Sequence, residues 1–359
     1  MSSWRRLLLP FSLLYGLAVR VRNLLFDQGI VKSRTIPIAS IGVGNLSAGG
    51  TGKTPHVEYL IRLLKDEFRI VTLSRGYGRE TSGFILASGT ANSTMIGDEP
   101  MQYFTKFPDI RVAVDEDRSH AVDELLNIDP TTEVILLDDN FQHRKVKAGL
   151  QVLLINFEDL EKNDLLLPAG NLREPSSSTK RADIVIVSKT PNILVPIERK
   201  RILGMLNTGK DQPVFFSFYR YGEFQRLHPR PEGMMMGAGY YLEKRFTILL
   251  VTGIANPSGL IEYLRRHTDK LEVISYPDHH QYTAKDIEKI KQDFDQIVNP
   301  SKIIVTTEKD AMRLRQPDID GLTRQLPFFY IPIEVAFHQD KDNFDQSILN
   351  YVRKSKNNG

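Results

Sequence analysis

The stretch Gly44-Asn-Leu-Ser-Ala-Gly-Gly-Thr-Gly-Lys-Thr54 constrains this chain more than any other. An apolar run at 36–43 precedes it and an amphipathic run at 56–65 follows, so the segment reads as strand, glycine-rich turn and helix. That is the setting of a phosphate-binding loop. Consecutive backbone N–H groups in such a turn converge on phosphate oxygens, and the helix N-terminus adds a favourable dipole. Ser47, Ala48, Gly49, Gly50, Thr51, Gly52, Lys53 and Thr54 are therefore the expected nucleotide-binding residues. Lys53 would reach the β- and γ-phosphates of a nucleotide, and the Thr54 hydroxyl would hold Mg²⁺. The strict pattern wants glycine where Ser47 stands; Gly49 and Gly50 offer the backbone freedom instead.

A length of 359 residues fits two domains, each large enough for its own core. Hydrophobic content of 41% with 25% charged residues is that of a globular protein. The absence of cysteine excludes disulfides, thiolate zinc sites and cysteine nucleophiles. A net charge of +3 is too small to imply a nucleic-acid partner, and no obligate protein partner is evident.

The N-terminus is lopsided in charge. Residues 1–34 carry Arg5, Arg6, Arg20, Arg22, Lys32 and Arg34 against Asp27 alone. Between the arginine pairs lies an apolar run at 7–19, shorter than the ~20 residues needed to cross a bilayer. No small-residue cleavage site follows it, which disfavours a signal peptide. The pattern fits a membrane-associating helix, with apolar side chains in the acyl boundary and arginines at anionic headgroups. Packing on the protein's own surface is the alternative.

Apolar strands are expected at 68–74, 111–114, 133–137, 151–157, 183–188, 213–219, 247–253, 271–275 and 302–306. Helices are expected at 119–127, with Ser119 as N-cap, and near 284–297. Buried strands alternating with helices imply an α/β fold, a mostly parallel P-loop NTPase-like sheet with a second, smaller α/β domain. The expected division is a helical segment at 1–34, a core at 35–150 and a second domain at 151–345, part of which returns to the core. The polar stretch 221–240 reads as a loop.

Open α/β sheets bind ligands at strand ends. Asp138 and Asp139 close an apolar strand, where a P-loop enzyme places its second magnesium ligand, and two carboxylates there are costly without a cation. The polar run after them includes His143, suited to orienting those acids or meeting phosphate. Gly97-Asp-Glu-Pro100 is either a helix start or the source of a carboxylate that positions a hydroxyl. Pro277-Asp-His-His280 offers histidines that can orient such an acid. Basic loops at 74–79, 171–175 and 307–313, and Arg118, supply cations suited to phosphate.

Taken in order, the phosphate-binding loop, Ser74-Arg-Gly-Tyr-Gly-Arg79, Gly97-Asp-Glu-Pro100, Asp138-Asp-Asn-Phe-Gln-His-Arg144, Leu167-Pro-Ala-Gly170, Arg173-Glu-Pro175, Arg181-Ala-Asp183, Gly253-Ile-Ala-Asn-Pro257, Pro277-Asp-His-His280 and Thr307-Glu-Lys-Asp310 resemble the tetraacyldisaccharide 4′-kinase (lipid A 4′-kinase) family of Gram-negative bacteria. The resemblance implies MgATP-dependent phosphorylation of the 4′-hydroxyl of a tetraacylated glucosamine disaccharide 1-phosphate, a lipid substrate. It implies work at the cytoplasmic face of the inner membrane, in contact with the membrane surface. By the same resemblance Asp98 activates the sugar hydroxyl and His279 is its partner. Asp138 and Asp139 bind Mg²⁺ or stand just behind it, while Glu99 and Arg118 support the phosphoryl site.

A nucleotide switch is the rival class. Guanine readers carry Asn-Lys-x-Asp, which this chain lacks, and metal-delivery relatives want cysteine or clustered histidine. A soluble kinase for a small metabolite is a third reading, in which the N-terminal helix packs internally.

Overall fold

A computed structural model describes residues 3–162, 164–228, 238–268 and 270–357. Among these, a nine-stranded sheet runs in the order Ile333–Phe337, Val214–Tyr221, Ile184–Ser188, Leu150–Asn156, Ala39–Asn45, Val134–Asp138, Ile70–Ser74, Arg111–Val114, Ile85–Leu86. Its neighbours are parallel except at the two edges, where Ile333–Phe337 and Ile85–Leu86 run antiparallel to their partners. Ala39–Asn45, Ile70–Ser74, Val134–Asp138 and Ile184–Ser188 are buried at every residue, as parallel strands covered on both faces are. The register pairs Val43 with Asp138, so the phosphate-binding loop and the paired aspartates leave the same edge of the sheet.

Helix Lys53–Leu64 packs Val57, Leu60, Ile61 and Leu64 against Ile41, Val43 and Leu136. The helix Lys341–Asn357 adds Phe344, Ile348 and Val352 to that core. Each such side chain contributes about 1.5–3 kcal/mol by leaving water. On the opposite face Ala121, Val122 and Leu125 of helix Arg118–Ile128 cover Val71, Leu73, Ile135 and Leu137.

A second, five-stranded sheet follows the order Gln225–Arg226, Phe328–Ile331, Lys302–Thr307, Thr247–Thr252, Leu271–Ser275. It is an excursion between Val214–Tyr221 and Ile333–Phe337, which are neighbours in the first sheet. Beyond the expected division near residue 150, Leu150–Asn156, Ile184–Ser188, Val214–Tyr221 and Ile333–Phe337 all pair in the first sheet. Apolar strands of both sheets look alike along the chain, so the switch between sheets leaves no mark in hydropathy. Two local expectations also change. Asp117, not Ser119, caps helix Arg118–Ile128, accepting from Ser119 N and His120 N. Within 221–240, Gln225–Arg226 is a strand and Ala238–Glu243 a helix, while 229–237 lies outside the described residues.

The N-terminal helix, Leu9–Asp27, outruns the apolar stretch and is long and apolar enough to cross a membrane by length and composition. Ser12, Gly16 and Val19 are buried against the protein, whereas Leu13, Leu14 and Leu17 are exposed.

Candidate active site

The buried strand Ala39–Asn45 delivers Asn45 to the start of the loop. Asn45 Nδ2 donates to Thr51 Oγ1 at 2.8 Å, and Thr51 N donates to Gly49 O at 3.0 Å, closing the turn. Gly52, at φ +90°, caps helix Lys53–Leu64. A Cβ there would lie 2.0 Å from Tyr219 Oη and strain the backbone, so the position requires glycine. Beneath it the buried His56 spans Gly52 O at 2.7 Å and Ser217 Oγ at 2.9 Å. Burial lowers the His56 imidazole to about 4, leaving it a neutral strut at pH 7. Ser188 Oγ donates to Thr51 O at 2.7 Å. Next to it Lys189, at φ +57°, brings Nζ to 3.8 Å from where a Gly50 Cβ would sit.

Asp138 ends the adjacent strand and is buried. Burial pushes its carboxyl up to about 6 against the pull of Lys53. Tyr103 Oη donates to its Oδ2 at 2.9 Å, while its Oδ1 is buried with no hydrogen-bond partner among the described residues. Leaving such an atom unmatched costs about 1–3 kcal/mol, a deficit that a cation or donor relieves. Asp139, at φ +49°, takes Arg173 Nη1 on Oδ2 at 3.1 Å and Nη2 on Oδ1 at 3.3 Å, with Lys53 Nζ at 3.6 Å. Burial would raise the Asp139 carboxyl, but Lys53 and Arg173 hold it below the usual range. Arg173 Nη2 also donates to Asn45 Oδ1 at 2.6 Å and Ser47 O at 3.3 Å, tying the loop to the aspartates.

Gly97, at φ +92°, turns the chain so that Asp98 opens helix Asp98–Lys106. From the second sheet, Thr307 caps helix Glu308–Leu314 by accepting from Asp310 N, and the helix brings Arg313 opposite. Arg313 is fully buried and donates to Asp98 Oδ2 from Nε at 2.8 Å, with Nη2 at 2.7 Å from the same oxygen. Its Nη1 donates to Gly253 O at 3.1 Å and Asp310 Oδ1 at 3.2 Å. His279 Nδ1 lies 3.2 Å from Arg313 Nη2 and 3.5 Å from Asp98 Oδ2. A guanidinium only donates and a carboxylate only accepts, so Nδ1 meets Arg313 as an acceptor in one tautomer and Asp98 as a donor in the other. Burial would raise the Asp98 carboxyl, but His279 and Arg313 beside it hold it below the usual range. Tyr103, on the helix that Asp98 opens, is the residue bonded to Asp138, so one rigid helix links the two acidic centres.

The structure brings together residues 47–54, Asp138 and Asp139, and separately joins Asp98 to His279. Of the two adjacent histidines, His279 faces Asp98; His280 Nε2 meets Asp286 Oδ2 at 3.1 Å and its ring stacks on Tyr276. The supporting residues sit further back. Arg118 is buried and donates to Asp138 O at 3.0 Å; Glu99 pairs with Lys309 at 2.6 Å. His143 is lowered to about 4 by burial, with Arg118 nearby adding to the effect. Sequence reasoning saw Arg173 and Arg313 only as cations in basic loops, and it missed Lys189 and Tyr103. Nothing local marks Arg313: its partner Asp98 is 215 positions away.

No group of three or more His, Cys, Asp and Glu side chains converges among the described residues. Mg²⁺ keeps waters and takes one or two carboxylates plus substrate phosphates rather than an all-protein cage.

The family model described as Tetraacyldisaccharide-1-P 4′-kinase matches residues 4–353. A tetraacyldisaccharide 4′-kinase of Bacteroides fragilis is 46% identical over 98% of this chain and 94% of its own. One from Flavobacterium psychrophilum is 44% identical over 100% of both chains. The crystal structure of LpxK from Aquifex aeolicus in complex with ATP superposes with a TM-score of 0.72 at 30% identity, covering 97% of this chain and 99% of that one. With its phosphate-binding loop, paired aspartates and Asp98 centre set in that same fold, the chain belongs to the tetraacyldisaccharide-1-phosphate 4′-kinase family.

Proposed function

We propose that this site transfers the γ-phosphoryl group of ATP to the 4′-hydroxyl of a tetraacylated glucosamine disaccharide 1-phosphate, in lipid A biosynthesis. The observation that carries the reading is the pairing of a phosphate-binding loop bearing Lys53 with a carboxylate, Asp98, held below the usual carboxylate range by His279 and Arg313. Phosphoryl transfer needs alignment and charge neutralisation more than covalent chemistry. Backbone amides of 47–54 and Lys53 hold the phosphates. Asp98 Oδ2 is occupied by Arg313, which leaves Oδ1 to orient the sugar hydroxyl and accept its proton late in the transfer. Thr54 and Asp138 are the residues suited to Mg²⁺, which when bound neutralises charge on the β- and γ-phosphates. Asp139, paired with Arg173 and Lys53, also ties the loop to the strand end. The exposed leucines of Leu9–Asp27 supply contact with the cytoplasmic face of the inner membrane, where the lipid acceptor resides.

The test is transfer of labelled phosphate from ATP to the lipid disaccharide acceptor. Lys53→Ala and Asp98→Ala each lower turnover by roughly 10²-fold or more, with unchanged circular dichroism. Wild-type rates in either variant defeat the reading, and transfer only to small soluble sugars favours a metabolite kinase.

A further inference from the structure

One short segment, 164–174, is bonded on one side to the N-terminal helix and on the other to the phosphate-binding loop. It is held compact by its own bonds. Asp164 accepts from Leu165 N at 2.9 Å and Asn171 N at 3.1 Å, and Leu167 N donates to Leu172 O at 2.9 Å. Toward the loop, Asn171 O accepts from Ala48 N and Arg173 N donates to Leu46 O, both at 2.7 Å. The Arg173 guanidinium then spans Asn45, Ser47 and Asp139. Toward the helix, Ser12 Oγ donates to Leu166 O and accepts from Ala169 N, both at 2.9 Å. Tyr15 Oη donates to Arg173 O at 2.9 Å. Glu174, fully buried, accepts from Arg22 at 3.1 Å and Asn23 at 2.9 Å.

We propose that Ser12 and Tyr15 are positioning residues for the ATP site, acting through segment 164–174, so that seating the helix in a lipid surface and binding MgATP are coupled. The two ends of Arg173's own backbone are engaged by different elements, its N–H by the loop and its C=O by the helix. Any displacement of the helix therefore acts on the residue whose side chain fixes Asn45, Ser47 and Asp139. Leu13, Leu14 and Leu17 project from the exposed side of the same helix, so the surface that meets lipid and the surface that holds Arg173 belong to one rigid rod. Coupling of this kind is reciprocal: nucleotide that favours the seated helix strengthens lipid contact by the same factor. The inference rests on reading 47–54 as the ATP site.

The experiment measures binding of a non-hydrolysable MgATP analogue to the full chain without acceptor. Tyr15→Phe combined with Ser12→Ala removes two side-chain hydroxyls and weakens analogue binding about three- to tenfold, raising the ATP KM while kcat at saturating ATP stays within about twofold. Tyr15→Phe alone, which keeps the ring and the packing, gives a smaller loss in the same direction. The control, Leu13→Ser with Leu14→Ser, weakens partition onto phosphatidylethanolamine–phosphatidylglycerol vesicles and leaves analogue binding in detergent unchanged. Adding the analogue to wild-type protein raises vesicle partition by the factor that vesicles add to analogue affinity. Unchanged analogue affinity in both Tyr15 variants, or an equal loss in the leucine control, overturns the coupling. If wild-type protein binds no analogue, the ATP reading itself fails and the coupling with it.

Discussion

Arg313 approaches Asp98 with two nitrogens aimed at one oxygen, Nε at 2.8 Å and Nη2 at 2.7 Å from Oδ2. The two residues lie on helices that belong to different sheets, and the contact is closed to solvent on the arginine side. A carboxylate bound in this way is a poor free base, which suits a reaction where the nucleophile's proton leaves late. Asp310, itself fully buried, accepts from Arg313 and also from Tyr282 and Gly253 N, so the arginine cannot swing away cheaply.

Arg313→Ala removes the fixed positive charge and leaves Asp98 buried beside His279. The Asp98 carboxyl then titrates higher, because burial is no longer offset by the guanidinium. The acid limb of the pH profile of kcat/KM moves to higher pH, and activity at pH 7 falls about tenfold or more. Arg313→Lys, which keeps the charge but loses the fork, restores the position of that limb more than the rate. An acid limb that stays put in Arg313→Ala would sink the assignment.

Asp138 offers a different reading of pH. Its carboxyl sits at about 6, raised chiefly by burial, so near pH 6 a large share is protonated before any cation arrives. Mg²⁺ with nucleotide requires the ionised form, so binding releases protons at pH 6 and few at pH 8. Calorimetry in two buffers of different ionisation heat reads that release. In Asp138→Asn the buffer dependence vanishes and affinity for the metal–nucleotide complex drops. A full proton signal in the variant would assign the titration elsewhere.

The phosphate-binding loop was legible because its chemistry is local: strand, turn and helix lie within residues 39–64, and the glycine pattern follows from backbone conformation. The aspartates at 138 and 139 were legible for the same reason, as polar groups ending an apolar strand. What could not be read was any contact made by topology. Arg173 reaches Asp139 and Asn45 only because segment 164–174 folds back over the loop. Arg313 reaches Asp98 only because the second sheet is inserted between two strands of the first. The division of the chain was hidden likewise, since Leu150–Asn156 and Thr247–Thr252 are similar apolar strands in different sheets.

The exposed leucines make a prediction separate from nucleotide. Leu13 is 74% exposed and Leu17 59%, on the side of the helix away from Ser12, Gly16 and Val19. Leu13→Asp with Leu17→Asp lowers partition onto anionic vesicles by about tenfold or more, from the loss of buried leucine surface alone. Thermal unfolding is unaffected, because neither side chain packs on the protein. Equal partition of variant and wild type would place the membrane contact elsewhere.

His56 carries the clearest stability prediction. The imidazole is buried neutral beneath Gly52, with Gly52 O and Ser217 Oγ on its two nitrogens. Its folded value of about 4 lies below the unfolded value near 6.5, so folding releases a proton wherever the free side chain is charged. The contribution is therefore fully present above pH 6.5 and is lost as pH falls toward 4, an amount on the order of 3 kcal/mol. His56→Asn forgoes that titration. The variant is less stable than wild type at pH 7.5, where a bonded strut is missing, and the gap narrows as pH falls to 5. Melting temperatures of the two chains between pH 5 and 7.5 check the sign: curves that stay parallel rule out a neutral His56. Because the ring supports the glycine that caps the loop, the variant's ATP KM rises at pH 7.5, linking a buried proton equilibrium to the shape of the phosphate site.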